Sequence, residues 1–144
     1  MKHFSFWQKW LFAVGLLLTV FGPALALLNQ TPFFDFLFNN QINPVFWTEG
    51  QVAPEMIRFQ QWIYGVLGAT ISGWGSCVTF LAYYPFRNKE SWAWNAIALG
   101  VTIWFITDTA LSLYFRVYFN AAFNTVVFLA VLIPLAFSRR YFAQ

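Results

Sequence analysis

The chain has 144 residues, of which 60% are hydrophobic and only 9% are charged, and its formal net charge is +3. A soluble domain averages about 25% charged residues, so this composition argues against a soluble fold and predicts an integral membrane protein. The basic residues are scattered along the chain and form no obvious patch, which argues against nucleic acid as a partner.

Four apolar stretches follow one another along the chain, at approximately 10–28, 59–86, 92–115 and 119–138. Each has the roughly 20 apolar residues that a helix needs to cross a bilayer, and unpaired backbone groups are too costly in hydrocarbon for any other local structure. We therefore predict an all-α membrane protein, a single domain over 1–144 whose four transmembrane helices form an antiparallel bundle. The first stretch is predicted to be a retained span.

The distribution of charge predicts the orientation of the bundle. Most basic residues fall at the end that holds both termini: Lys2, Lys9, Arg87, Lys89, Arg139 and Arg140. The opposite end has Arg58 and Arg116, together with Asp35, Glu49 and Glu55. By the positive-inside rule, both termini are expected on the cytoplasmic side of a bacterial inner (plasma) membrane, which the chain crosses several times.

The connection after the first span, 29–57, is long and rich in aromatic residues. Thr31-Pro32 and Asn43-Pro44 each match a helix start, with a capping residue followed by proline at the first helical position. We predict two short interfacial helices in this outer loop, which either shield the end of the bundle or form a lid over a ligand cavity. Pro54-Glu55 predicts the start of the second spanning helix.

Small residues recur at every fourth position along two neighbouring faces of the second span: Gly65, Ala69, Gly73 and Cys77 on one face, and Gly68, Ser72 and Ser76 on the other. Small residues let membrane helices approach closely. We expect both faces to pack inside the monomer, with a homodimer seam as the alternative. Pro23 in the first span and Pro134 in the fourth are predicted to kink their helices, because each removes a backbone hydrogen bond.

The third span contains a carboxylate. Asp108 lies about 12 Å inside the outer end of its helix, where a charged side chain costs about 2.5 to 3.5 kcal/mol, so it is expected to face protein or water. Trp104, Asp108, Ser112 and Arg116 share one face of this helix. A bridge from Asp108 to Arg116 would span two turns, so water or another helix is expected to take part.

Other polar side chains occur at a similar depth. Asn124 lies near the start of the fourth span, and Arg58 and Tyr64 lie near the start of the second. We predict a polar cluster that either fixes helix register by hydrogen bonding or forms a ligand site. The candidate ligand-binding residues are Asp108, Ser112, Asn124, Tyr64, Arg58 and Trp104.

Catalysis and metal binding are not expected. His3 has no companion at metal-ligand spacing, Cys77 is the only cysteine, and no pairing of a nucleophile with a base is visible. We therefore predict no metal and no cofactor, and we do not expect an enzyme.

Three segments, 61–69, 73–75 and 104–109, look like those of small, uncharacterised bacterial four-helix membrane proteins. The resemblance covers most of the chain and implies the four-helix fold but no activity.

The leading functional expectation is binding of a lipid or a hydrophobic small molecule in an outward-facing pocket around Asp108. The first alternative is an accessory or structural subunit that meets a partner membrane subunit or a second copy of itself. The second alternative is a small proton-coupled transporter in which Asp108 carries the proton.

Overall fold

The computed structural model describes residues 2–47 and 52–142, so Glu49 of the predicted outer loop lies outside the described residues. The elements, in chain order, are α1 (Lys2–Leu28), α2 (Pro32–Phe34), a π-helical turn (Asp35–Asn39), α3 (Asn40–Phe46), α4 (Pro54–Tyr83), α5 (Ser91–Tyr114), α6 (Tyr118–Ser138) and a 3-10 turn (Arg139–Tyr141).

Helices α1, α4, α5 and α6 are each long and apolar enough to cross a membrane. The prediction of an all-α, multi-pass membrane protein with four spans in a bundle is confirmed. The helices extend beyond the apolar stretches, since α4 has 30 residues and is therefore about 45 Å long, against a hydrocarbon core of about 30 Å. It begins at Pro54 with Glu55 in its first turn, as predicted.

The bundle has two distinct ends. At the basic end, the ring of Phe4 near the start of α1 packs against Phe86, Tyr141 and Phe142, which brings both terminal segments and the turn after α4 together. The cap end holds the cap, defined as residues 32–46, and the turn 115–117 between α5 and α6. The central core consists of buried residues from all four spanning helices, including Leu11, Ala82, Ile97, Val101, Val131 and Leu135.

Helices α1 and α4 form the closest pair, because glycines remove the side chains between them. A Cβ atom added to Gly22 would collide with the backbone oxygen of Gly68, and one added to Gly68 would collide with the oxygen of Gly22. Further along the pair, a Cβ atom on Gly75 would lie 2.5 Å from the backbone nitrogen of Thr19. The face of α4 that contains Gly68 and Ser72 therefore packs inside the monomer, as expected from the sequence.

The other small-residue face of α4, which holds Gly65, Ala69, Gly73 and Cys77, does not pack against the rest of the described chain. A Cβ atom added to Gly65 or Gly73 would meet nothing within 4 Å, and Cys77 is exposed. The expectation that both faces pack inside the monomer is wrong for this one. The physical reason is that α1 occupies the neighbouring face of α4, while α5 touches α4 at few points, one of them the contact of Trp74 with Gly100.

The cap contains the two short helices α2 and α3, joined by the π-helical turn into one nearly continuous helical path, so the prediction of short helices in this loop is confirmed. The predicted start at Pro32 is confirmed, with Thr31 in the capping position. The predicted start at Pro44 is wrong: α3 begins at Asn40 and Pro44 lies inside it. The π-helical turn continues the path from α2 and supplies the start of α3, so the helix is already formed when the chain reaches Pro44.

Each of the two prolines inside spanning helices leaves a backbone carbonyl free, and that carbonyl accepts a hydrogen bond from another helix. Pro23 cannot donate to the carbonyl of Thr19 one turn earlier, and the hydroxyl of Ser72 on α4 donates to that oxygen at 2.9 Å. Pro134 likewise leaves the carbonyl of Ala130 without its helical donor, and the indole nitrogen of Trp10 on α1 donates to it at 2.9 Å. Each proline therefore links two helices.

We predict that Ser72→Ala lowers the free energy of unfolding by about 1 to 3 kcal/mol, because it leaves the Thr19 carbonyl without a donor in an apolar environment. The loss should be smaller in a Pro23→Ala background, where the N–H of residue 23 again reaches Thr19. Thermal unfolding in mild detergent measures both effects. Ser76→Ala is the control, since the Ser76 hydroxyl donates only within α4. Equal losses with and without Pro23 would contradict the assignment.

Candidate functional site

A hydrogen-bonded network joins α5 and α6 near the cap end. The amide nitrogen of Asn120 donates to Asp108 Oδ1 and to Ser112 Oγ, both at 2.8 Å. The hydroxyl of Ser112 lies 2.7 Å from the backbone oxygen of Asp108 and 3.2 Å from Oδ1. We call these three residues the Asp108 cluster. Ser112 is buried, and Asp108 and Asn120 are half-buried.

The tight turn between the two helices produces this cluster. Helix α5 ends at Tyr114 and α6 begins at Tyr118, with Arg116 between them in the left-handed region at φ 63°. The N–H of Val117 returns to the oxygen of Ser112 at 2.8 Å, which closes the end of α5. Because the connection is so short, the first turn of α6 lies beside the last turns of α5, and Asn120 meets the face that holds Asp108.

The other predicted site residues lie in different surroundings. Asn124 is buried one turn further along α6, and its amide nitrogen is 3.4 Å from Thr109 Oγ1. Trp104 is half-buried and packs against the central core. Arg58 is exposed, and Tyr64 is buried in a separate apolar cluster under the cap. The structure thus brings Asp108 and Ser112 together, with Asn120 as the partner that sequence reasoning did not include.

The Asp108 cluster is electrostatically unbalanced. The side-chain hydrogen bonds that the carboxylate accepts come from an amide and a hydroxyl, both uncharged. Both bonds go to Oδ1. A carboxylate inside a span is stabilised when a cation or a further donor approaches it, since the surrounding hydrocarbon cannot solvate the charge. The cluster can therefore hold a molecule that brings a hydrogen-bond donor or a positive charge to Asp108.

A second polar cluster, which we call the cap cluster, is formed by Asp35, Asn39 and Asn43 of the cap together with Asn29 and Gln60. The amide nitrogen of Asn39 donates to the backbone oxygen of Asn29 at 2.9 Å and to Asp35 Oδ1 at 2.7 Å. Gln60 on α4 donates to Asn43 Oδ1 at 2.7 Å, which ties α3 to the bundle. Sequence reasoning placed Asp35 and Asn39 in the headgroup layer and missed this cluster. Their spacing of four residues, just after the helix start at Pro32, is the signal that could have found it.

Aromatic rings separate the cap cluster from the interior of the bundle. Phe34 and Phe38 are buried and stack at 5.9 Å between ring centroids. Phe38 also packs edge-on against Phe119 and Phe123 of α6, while Phe21 of α1 packs against Phe34, Phe38 and Phe123. The cap is thus anchored by rings that reach down between α1 and α6. Within the described ranges 2–47 and 52–142, no group of three or more His, Cys, Asp or Glu residues could hold a metal ion.

Comparisons of the chain with protein-family models, with curated proteins and with solved structures found no match. The chemistry of the two clusters is therefore argued from their own geometry.

We predict that Asp108 and Asn120 are energetically coupled. In a double-mutant cycle with Asp108→Ala and Asn120→Ala, the two losses in free energy of unfolding should be non-additive by about 1 to 2 kcal/mol, since each variant removes the same hydrogen bond. The matched comparison is Asp108→Ala with Asn124→Ala, which should be additive to within about 0.5 kcal/mol. A larger coupling with Asn124 than with Asn120 would mean that a different residue holds the carboxylate.

Proposed function

We propose that this protein binds a lipid or another hydrophobic small molecule at the cap end of the bundle, with Asp108 as its polar contact. The observation that carries the proposal is the half-buried carboxylate inside α5, whose hydrogen bonds come only from the uncharged Ser112 and Asn120 among the described residues. A ligand with a donor group or a positive charge would complete its coordination.

The surroundings of Asp108 favour a ligand that arrives from the membrane. Leu111, three residues after Asp108 and therefore on the same side of α5, is an exposed large hydrophobic residue. A molecule dissolved in the lipid phase could contact Leu111 with its apolar part and Asp108 with its polar group. Such a division, mostly apolar walls with a few directed polar groups, is typical of small-molecule sites.

We infer that the cap end faces outward from a bacterial inner membrane and that both termini are cytoplasmic. The basic end supports this orientation by the positive-inside rule. Cations at that end lie over aromatic rings: Arg87 over Tyr83, Lys89 over Phe4, Arg139 over Trp94 and Arg140 over Tyr141. Such pairs suit a membrane interface, where the ring stays in the apolar layer and the charge reaches the headgroups.

Native mass spectrometry of the mildly solubilised protein tests the proposed ligand. We expect the wild type to retain a defined small-molecule adduct and the Asp108→Asn variant to lose most of it, because the variant removes the charge and preserves the side-chain shape. Glu55→Gln, an exposed acid in the first turn of α4, should keep the adduct. A bare protein in all three samples, or an adduct that persists equally in Asp108→Asn, would refute a ligand site at Asp108.

The open face of α4 favours a second candidate function, that of a subunit in a larger assembly or a homodimer. Gly65 and Gly73 present backbone without a neighbour in the monomer, and close backbone approach is how membrane helices associate. The sole cysteine, Cys77, lies on this face and is exposed. The face thus has both the shape for a partner helix and a natural chemical probe.

We expect oxidation of the native protein in its membrane to join two copies through Cys77 if the face is a homodimer seam. Electrophoresis without reductant measures the product, and Cys77→Ser should abolish it. Gly73→Leu, which fills the open face, should reduce the product severalfold with little effect on the monomer, because a Cβ atom at this position meets no neighbouring element within 4 Å. A monomer in all samples would leave only a different partner subunit for this face.

A further inference from the structure

Two buried polar atoms under the cap have no hydrogen-bond partner among the described residues. They are the side-chain oxygen of Asn39 and the hydroxyl of Tyr64. Asn39 is 5% exposed and Tyr64 is 9% exposed, so neither side chain is open to solvent. Native structures satisfy the great majority of buried side-chain polar atoms, and an exception calls for a physical explanation. Here two exceptions occur within one small region.

The groups around these atoms are rich in hydrogen-bond acceptors. The amide nitrogen of Asn39 already donates to Asn29 and Asp35, so the unpartnered oxygen remains as an acceptor. Gln60, one turn before Tyr64 on α4, uses its amide nitrogen to donate to Asn43 Oδ1. Asp35 supplies a negative charge, and the hydrogen bond it accepts comes from a neutral amide. The cap cluster therefore holds an unused acceptor oxygen and an acid with no cation bonded to it among the described residues.

The apolar walls of the same region also suit a cation. Tyr64 packs in one buried cluster with Leu25, Phe34 and Phe38. The faces of aromatic rings carry partial negative charge and attract cations. A positively charged group that entered between Asp35 and these rings would meet favourable electrostatics on both sides.

We propose that the cap cluster is a binding site for a primary ammonium group. An ammonium has three N–H donors and a positive charge, so it can donate to the Asn39 oxygen and the Tyr64 oxygen and can pair with the Asp35 carboxylate. A divalent metal ion such as Ca²⁺ requires six to eight oxygen ligands, more than these three residues supply. A quaternary ammonium carries no N–H and would leave the same atoms unpartnered. The primary ammonium belongs either to a lipid headgroup or to a free amine, and the titration below distinguishes the two.

The ligand reaches the site when the cap lifts away from α4. The backbone of the cap makes few close contacts with the spanning helices, and side chains hold it in place: the bond of Gln60 to Asn43, the bond of Asn39 to Asn29, and the two buried phenylalanine rings. A small number of side-chain contacts has to separate for the site to open. In this proposal the cap serves as a lid over the site.

The test is calorimetric titration of the full-length protein in mild detergent with three probes. These are dihexanoylphosphatidylethanolamine, dihexanoylphosphatidylcholine and ethanolamine. We expect the phosphatidylethanolamine to bind at least tenfold more tightly than the phosphatidylcholine, which has no N–H donor. Binding of ethanolamine as tight as that of the lipid would assign the site to a free amine, whereas binding of the lipid alone would assign it to a headgroup. Equal affinity for both lipids, or no binding of any probe, overturns the proposal.

Two variants locate the binding. Tyr64→Phe removes only the hydroxyl and Asp35→Asn removes only the charge, and each should weaken binding of the primary amine by about tenfold or more. Tyr84→Phe, on an exposed tyrosine just after α4 at the basic end, is the matched control and should bind as the wild type does. Unchanged affinity in Tyr64→Phe, with a folded protein by thermal unfolding, overturns the assignment. So does a wild type that binds nothing while Tyr64→Phe unfolds at a higher temperature.

The site is independent of the function proposed for Asp108, because the two clusters share no residue and no hydrogen bond. Asp108→Asn should therefore retain the part of the amine binding that depends on Tyr64 and Asp35. Failure of the amine to bind leaves the Asp108 proposal standing, and loss of the adduct in Asp108→Asn says nothing of the cap cluster.

Discussion

Backbone carbonyls that lack a helical donor determine how these helices meet. No water is available in hydrocarbon to donate a hydrogen bond to such a group, so another helix has to supply the donor. Ser72 does so for Thr19, and Trp10 does so for Ala130, in each case where a proline has removed the normal partner. Gln8 of α1 donates to the carbonyl of Ala82 near the end of α4. Helix α1 takes part in all three bonds, which explains its central place between α4 and α6.

The hydrogen bonds that satisfy backbone carbonyls differ in chemical character from the two polar clusters. The links that Ser72, Trp10 and Gln8 make end on backbone carbonyls, so they hold the bundle and leave no charged group for a ligand. The Asp108 cluster and the cap cluster each contain an acid whose hydrogen-bond partners are uncharged. Both lie at the cap end, whereas most of the basic residues lie at the other end. The two acids are thus separated from most of the cations along the length of the bundle.

Much of the fold could be predicted from sequence, but little of the site. Span length, hydropathy and the prolines at 32 and 54 depend on local chemistry, and the structure agrees with each. The depth of a residue along its helix also follows from its position in the sequence, and on this basis Asp108 was correctly placed near the cap end. The direction in which a side chain points around the helix axis depends on which helices are neighbours. Tyr64 was therefore grouped with Asp108 although it points under the cap, and Asn120 was overlooked although it points at Asp108. The open face of α4 was assigned a neighbour for the same reason.

The tight pairing of α1 with α4 and of α5 with α6 has a consequence for biogenesis. Each pair consists of spans that are consecutive in the chain, so its contacts can form as soon as the second member has entered the bilayer. The first hairpin can bury its glycine contact and cover the carbonyl of Thr19 before α5 is synthesised. The carbonyl of Ala130 becomes available only with the last span, when Trp10 is already in the membrane. Insertion would then proceed as two preassembled hairpins, and the docking of α6 on α1 would be the step that completes the protein.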